Sequence, residues 1–309
     1  MRTIVLVNAA AGAVAGGRPV AEASATEPPA LSRVQEAVRE AGLRADVVPV
    51  EPQDLPSAVA AAVAARELDA VCVAGGDGTV SSAAAVMAGS EKPLGVLPLG
   101  TLNHFARDIG LPDLAAAAGA IATGCWRAVD VGEVNGRVFV NNCSMGVYPE
   151  AVRNREERRE RGARKWPAMV KAMHHALQRL PLLRLTLRTD EGTRRVATPL
   201  LMVGNNRYQT ELLRLGQRAA LDEGLLWVYL TRSTGAGGVV KLVLRALAGR
   251  LEQTRGFESL STRALHVDDR RRRRHLPVAV DGELTQFEPP LVLRSRPRSL
   301  RVLAPPAVA

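Results

Sequence analysis

The sequence predicts an N-terminal α/β domain followed by a mainly antiparallel β domain, and three observations carry that prediction. From Thr3 to Thr123, short runs rich in β-branched residues alternate with helix-spaced segments, the rhythm of a parallel sheet with helices on both faces. Near Arg127 the rhythm changes, and strand-like runs dominate from there on. With 309 residues and 47% hydrophobic side chains, the chain is long and apolar enough to fill two cores.

Thr3–Val7 reads as a first buried strand that ends at Asn8 and opens into the small-residue loop Ala9–Gly17, with Arg18–Pro29 as a mobile connection. Ala30–Ala41 places Leu31, Val34, Ala37, Val38 and Ala41 at helical spacing and stops at Gly42. Ala45–Val50 is a second strand and Leu55–Arg66 an alanine-rich helix. Leu68–Val73 runs into glycines and resumes as Val80–Met87, which reads as strand, tight turn, helix. Leu94–Leu99 is a fourth strand and Leu114–Thr123 another helix. Beyond the change of rhythm, the expected strands are Ala128–Val134, Arg137–Asn142, Leu183–Thr189, Arg194–Val203, Leu225–Leu230, Ala264–Val267, Val278–Val280, Leu291–Arg294 and Leu300–Leu303. Two helical inserts interrupt them. One aligns Trp166, Met169, Met173, Leu177 and Leu180, with Pro167 in its first turn; the other is the apolar stretch Val239–Leu251.

Net charge is +10, from 41 basic and 31 acidic side chains, which favours anionic partners: nucleotides, nucleic acid or acidic lipid. Aromatic residues make up only 3%, which argues against nucleic-acid binding by base stacking, and no recognition motif accompanies the charge. Cys72, Cys125 and Cys143 have neither metal spacing nor a disulfide pattern and fit a reducing compartment. The N-terminal apolar run is too short for a signal peptide, and no run reaches the ~18 apolar residues of a membrane span. A cytoplasmic protein, peripheral at most to the inner membrane face, is the expectation.

The chemistry concentrates in loops. In Ala74-Gly75-Gly76-Asp77-Gly78-Thr79, three glycines let the backbone turn sharply, and the next helix aims its open N–H groups at the same spot, a geometry suited to phosphate. Asp77 is the oddity there, an acid among phosphates, unless it acts through a metal or a polar network. A second loop, Pro98 to Arg107, offers Gly100 for close backbone approach and Thr101 and Asn103 as neutral hydrogen-bonding groups. Both the Walker loop and the dinucleotide glycine turn are absent. In a doubly wound sheet these two loops and Asn8–Gly12 would converge at the carboxyl ends of neighbouring strands. Asp281-Gly282-Glu283 follows a short strand. It reads either as a solvated hairpin turn or as the acid that takes a proton from an acceptor hydroxyl.

Gly75-Gly76-Asp77-Gly78-Thr79, followed by Pro98-Leu99-Gly100-Thr101-Leu102-Asn103-His104-Phe105-Ala106-Arg107, resembles the diacylglycerol kinase catalytic-domain family, which includes bacterial soluble lipid kinases and is related to sphingosine kinases. Val129-Asp130-Val131-Gly132 and Asp281-Gly282-Glu283 fall in family order, so the resemblance spans nearly the whole chain. The resemblance implies an ATP-binding domain over residues 1–128, to which a final strand in 298–309 returns, and a β-sandwich lipid-substrate domain over residues 129–297. It implies transfer of the γ-phosphoryl group of ATP, with Mg²⁺, to a hydroxyl of a diacylglycerol- or sphingoid-type lipid. Asn8 and Gly12 match the ends of the family's N-P-x-S-G loop; Gly75, Gly76, Asp77, Gly78, Thr79, Val80 and Ser81 would wrap the phosphates, with Gly100, Thr101 and Asn103 lining the same site. Asp281 or Glu283 would face the cleft as base, and Asp77 and Asp130 would act on a metal through water. Ala220, Glu223 and Leu225 match the family's structural-metal loop, with Glu223 in place of the usual aspartate.

Two departures leave rivals open. Ala9, Ala10 and Ala11 replace the family's proline and serine, and His104 stands where many members carry aspartate. A non-catalytic nucleotide or lipid sensor on the same scaffold is one rival. An NAD kinase is the other, although its N-x-G-x-x-G-F element is missing after the second loop. The basic residues between Arg153 and Lys165 read as a charge-paired helix or as a lipid-docking surface. The run Arg270–Arg274 reads as an exposed turn or strand edge, or as a contact for phospholipid headgroups. His174-His175 reads as helix surface. A homodimer is compatible with everything above.

Overall fold

The computed structural model describes residues 1–11, 30–146, 182–208, 218, 220–231 and 256–305. Gly12, the two helical inserts, the 153–165 basic stretch and His174-His175 lie outside the described residues. The chain divides into two compact units, Met1–Val131 with Pro297–Ala309, and Gly132–Arg296.

In the first unit, β1 (Thr3–Asn8), β2 (Ala45–Val50), β3 (Ala70–Gly75) and β4 (Leu94–Pro98) form a parallel sheet in the order β2-β1-β3-β4. Every residue of β3 is buried, which is why this strand reads as an unbroken apolar run rather than an alternating one. The order dictates where the helices go. The chain moves one way from β1 through α1 (Ala30–Glu40) to β2, then reverses through α2 (Leu55–Ala64) to β3 and α3 (Asp77–Met87) to β4. Right-handed crossovers therefore put α1 on one face and α2 and α3 on the other. Two further helices, α4 (His104–Asp108) and α5 (Leu114–Thr123), follow β4. The carboxylate of Asp113 caps α5 by accepting the Ala116 N–H, and Gly124, at φ +70°, ends it. Cys72 lies on β3 against Gly95, where burial pushes its thiol up to about 12 despite a backbone hydrogen bond from Gly95, so it serves as packing.

The second unit is antiparallel. One sheet contains β8 (Leu183–Thr189), β9 (Gly192–Thr198), β13 (Ala264–Asp269) and the first half of β16 (Leu291–Leu303), in the order β16-β13-β8-β9; β5 (Trp126–Val134) and β6 (Arg137–Phe139) pair beside it. The other sheet runs β12-β11-β10-β7-β14-β15, where β7 is Asn142–Gly146, β10 Leu200–Asn205, β11 Leu226–Thr231, β12 Phe257–Thr262, β14 Leu276–Val280 and β15 Glu283–Phe287. Leu185, Leu187, Val267 and Leu293 from the first sheet meet Met145, Val203, Val228 and Val278 from the second in one buried core, so the unit is a β-sandwich.

Several expected strands are corrected. Arg137–Asn142 is not one strand but the whole of β6 and the first residue of β7, which lie in different sheets. Arg194–Val203 likewise breaks at Pro199 into β9 and β10, where proline removes a ladder donor and the Thr198 hydroxyl bonds both the N–H and the C=O of Leu200. Leu291–Arg294 and Leu300–Leu303 are one strand; its second half pairs with β4 through Val302 and Leu94. Two strands, β12 and β15, have no counterpart in the sequence expectation.

The Arg270–Arg274 run is a turn between β13 and β14 and not a strand edge. Buried Asp269 holds it. Its carboxylate accepts the N–H groups of Arg271 (3.3 Å) and Arg273 (3.1 Å) and the Arg273 guanidinium at Nε (2.8 Å) and Nη2 (3.2 Å). Burial pushes the pKa of this carboxyl up, but the Arg273 side-chain bonds, the two backbone bonds and the Arg273 charge outweigh burial and hold it below its usual value. A depressed carboxyl contributes stability that is complete above its unfolded pKa of about 3.9 and is lost as pH falls through the folded value. Asp269→Asn is therefore expected to cost about 1–3 kcal/mol at neutral pH. Denaturant midpoints of the two proteins, measured against pH, should converge in acid.

Candidate nucleotide site and carboxylate corner

At the carboxyl ends of β1, β3 and β4, three loops of the first unit come together. The sheet reverses direction between β1 and β3, the place where doubly wound folds open a crevice. Across it, the Asn8 side-chain amide donates to the Thr79 hydroxyl at 2.8 Å, while its Oδ1 accepts the Ala10 N–H at 2.9 Å. One side chain thus ties the first loop to the glycine turn. The second tie is steric. A Cβ built on Gly100 would lie 2.7 Å from the Gly76 Cα, so the two loops touch backbone to backbone. The third tie involves Asp77, whose Oδ1 accepts the Phe105 N–H at 3.4 Å. The acid that looked out of place among glycines holds the start of α4 beside the start of α3.

Gly76 starts α3 in extended backbone and no side chain caps the helix, so the N–H groups of Asp77, Gly78 and Thr79 have no intrahelical acceptor. These donors and the helix dipole favour an anion. Gly75 has no room for a side chain because Thr79 fills that space. Val80 is buried and its N–H already donates to the Gly76 C=O at 3.1 Å, so it packs and has no N–H to spare for a ligand; Ser81 is half-buried. In the second loop, Thr101 is exposed. Asn103, in left-handed backbone at φ +49°, spends its amide inside the loop: Nδ2 donates to the Gly100 C=O at 2.7 Å and Oδ1 accepts the Gly100 N–H at 3.0 Å. Asp130 is fully buried, and its Oδ1 accepts the N–H of Arg298 at 2.8 Å.

In the second unit, Asp281 and Gly282, at φ +48° and +88°, are the two central residues of a hairpin turn between β14 and β15, with Val280 opposite Glu283. The hairpin reading thus holds for the backbone, but the half-buried carboxylate is bonded to protein. Asp281 Oδ2 accepts the Val140 N–H at 2.8 Å, and Oδ1 accepts those of Asn141 at 2.8 Å and Asn142 at 3.0 Å. The same corner is held from its carbonyl side by buried Arg218. That guanidinium bonds the Val140 C=O, the Asn205 C=O at 3.1 Å and the Asn141 side chain at 3.1 Å. Glu283 is exposed and pairs with Arg137 at 2.7 Å, while Arg137 also donates to the Thr285 hydroxyl at 2.6 Å. The two acids therefore differ in kind: one is enclosed by backbone donors, the other reaches solvent.

Glu223 is exposed, and its carboxylate accepts the Trp227 indole N–H at 3.2 Å. Half-buried Ala220 and Leu225 have only main-chain oxygens to offer, and the Leu225 C=O already accepts the Asn206 N–H at 3.0 Å. Among the described residues, no three His, Cys, Asp or Glu side chains cluster as a metal site. Sequence reasoning missed Arg137, Asn141, Asn205 and Arg218. An arginine in a polar stretch looks solvated, and only the strand-end pair Asn141-Asn142 hinted at a polar corner.

Asp281→Ala would leave three backbone N–H groups without their acceptor, a loss of about 1–3 kcal/mol for each that stays dry. Glu283→Ala breaks only an exposed ion pair worth about 0–1 kcal/mol. Thermal melts should show a clearly lowered midpoint for the first variant and a nearly unchanged one for the second.

Residues 2–134 match the family described as diacylglycerol kinase catalytic domain, and residues 143–304 match the YegS C-terminal NAD kinase beta sandwich-like domain. A protein named diacylglycerol kinase from Mycobacterium tuberculosis (strain ATCC 25618 / H37Rv) is 30% identical over 273 residues, covering 84% of each chain. One named "Probable lipid kinase YegS-like" from Pseudomonas fluorescens is 31% identical over 237 residues, covering 75% of this chain and 76% of its own. The crystal structure of a diacylglycerol kinase from Bacillus anthracis str. Sterne superposes with a TM-score of 0.68 at 20% identity, covering 100% of this chain and 98% of that one, which shows the shared fold. With both parts matched in order, and a relative at this identity along most of its length, the chain belongs to the diacylglycerol kinase and YegS-like lipid kinase family.

Proposed function

We propose that this chain is an ATP-dependent lipid kinase that transfers the γ-phosphoryl group to a hydroxyl of a diacylglycerol- or sphingoid-type lipid. The observation that supports this most is the convergence of Asn8, the glycine turn and the Gly100 loop around the open N–H groups of α3. Phosphoryl transfer asks for little covalent chemistry from a protein. It needs phosphates held in line, charge neutralised, and a base for the attacking hydroxyl. Backbone N–H groups from Gly76 to Thr79 would hold the phosphates.

Mg²⁺ fits the residues present. Asp77 is half-buried, and its only hydrogen bond among the described residues is to Oδ1, so Oδ2 is free to take a metal-bound water. When bound with ATP, the ion would supply charge neutralisation. Asp130 already binds the Arg298 N–H and would support the same network. Of the acid pair, Glu283 is the proposed proton acceptor, because taking a proton there disturbs one exposed ion pair. Protonating Asp281 would weaken three backbone hydrogen bonds, so its proposed role is positioning.

The nucleotide reading has a direct test. Gly100→Ala must push the second loop off the Gly76 backbone, and calorimetric titration should show ATP binding weakened about tenfold or more, the result of losing about 1.4 kcal/mol of phosphate contacts.

The activity itself is tested by transfer of labelled γ-phosphate from ATP and Mg²⁺ to dispersed diacylglycerol, a sphingoid base, or NAD. Label should appear in a lipid and fall by about 10²-fold or more in Glu283→Gln, the scale of a lost general base. Asp281→Asn, which keeps one acceptor oxygen, should retain more activity than Glu283→Gln. Label in NAD instead would reassign the acceptor. ATP binding with no transfer to any acceptor would favour a sensor.

A further inference from the structure

Neither protection of a sheet edge nor a loose, solvated loop accounts for the five arginines Arg270–Arg274. Like charges often guard a sheet edge, yet β13 is paired on both sides by β16 and β8, and β14 by β7 and β15. The turn is not loosely tethered either, since the Asp269 carboxylate fixes it through two backbone N–H groups and Arg273. Arg273 is spent on that carboxylate. Arg270, Arg271, Arg272 and Arg274 are exposed, and among the described residues none of them pairs with an acid.

The turn is continuous with a basic sheet face. The Arg270 N–H donates to the Arg184 C=O at 2.8 Å, which sets the run beside β8. Leu183, Leu185 and Leu187 of β8 point into the core, so Arg184 and Arg188 alternate outward, and Arg195 of β9 lies opposite Thr186 on the same face. Arg188 pairs with Asp268; Arg184 and Arg195 are exposed and have no acid partner among the described residues. Concentrated charge of one sign works against the folded state, and here a buried carboxylate fixes it in place.

We propose that this arginine turn, with Arg184 and Arg195, docks the protein on a bilayer rich in anionic phospholipid. Guanidinium forks match phosphate geometry, and each cation near such a surface adds to the attraction. The choice of a bilayer over another polyanion rests on the lipid acceptor proposed above. It also rests on chemistry: the described residues of this face include no Phe, Tyr or Trp on which bases could stack.

The test uses the full chain without nucleotide or acceptor, sedimented with vesicles of equimolar phosphatidylglycerol and phosphatidylcholine or of phosphatidylcholine alone. Binding should require phosphatidylglycerol and weaken as salt rises. A variant carrying Arg270→Gln, Arg271→Gln, Arg272→Asn and Arg274→Gln keeps Arg273 and so keeps the turn. At low salt each arginine near the surface is worth about fivefold, so this variant should lose about tenfold or more even if only two of the four touch lipid. A control with Arg2, Arg39, Arg44 and Arg66 changed to Gln removes the same charge from exposed positions of the first unit and should stay within about twofold of the parent. Equal loss in both variants, or binding indifferent to phosphatidylglycerol, overturns the proposal. So does a turn variant that loses affinity for a single-stranded oligonucleotide while keeping its vesicle binding. Vesicle binding that needs the turn, in a protein that transfers no phosphate, keeps the docking surface and removes the kinase reading.

Discussion

One carboxylate does most to organise the second unit. The chain must pass from one sheet of the sandwich to the other between Phe139 and Asn142, and at such a corner neither ladder can satisfy the backbone. Asp281 supplies the acceptor for three successive N–H groups and Arg218 supplies donors to the carbonyl side, so the corner is bonded from both faces. A half-buried anion and a buried cation thus bond the same short segment, an arrangement that works only when the polar groups around it are satisfied. The β14–β15 hairpin that carries Glu283 is fixed as a by-product, because Asp281 is itself the first residue of its turn.

The first unit is organised by proximity instead of charge. Gly76 and Gly100 let two loops meet backbone to backbone, and Asn8 and Asp77 each cross to a neighbouring loop with one hydrogen bond. Side chains that a motif comparison would assign to a ligand, Thr79 and Asn103 among them, are used to shape the loops. What remains for a ligand is mostly main-chain N–H, which suits a group recognised by charge and shape.

Much of this could be read from residue order, and the failures have physical reasons. The α/β half was legible because apolar parallel strands, buried throughout in β3 and β4, and alanine-rich helices differ in length and period, and the glycine turn marked the candidate site. The sandwich was harder. Strands that switch sheets, at Val140-Asn141 and at Pro199, stay β-prone through the bend, so Arg137–Asn142 and Arg194–Val203 looked continuous. Glu283–Phe287 was missed although Asp281-Gly282 is a strong hairpin signal, because the short run mixes polar and apolar residues and its acids read equally well as chemistry. Arg218 could not have been found, since nothing local distinguishes a buried arginine from a solvated one.

The path of β16 has a consequence for how the protein is made. The first unit is discontinuous: Met1–Val131 is completed by Pro297–Ala309, and Val302 pairs with Leu94 on the outer side of β4. A chain emerging from the ribosome has finished four parallel strands long before that partner exists. Until Arg298 and Val302 appear, β4 presents an open ladder, and the Asp130 carboxylate has no Arg298 N–H to accept. Synthesis of the entire sandwich intervenes. The nascent first unit thus exposes at β4 an edge that the finished unit covers, vulnerable to pairing with another chain for as long as translation of the remainder takes.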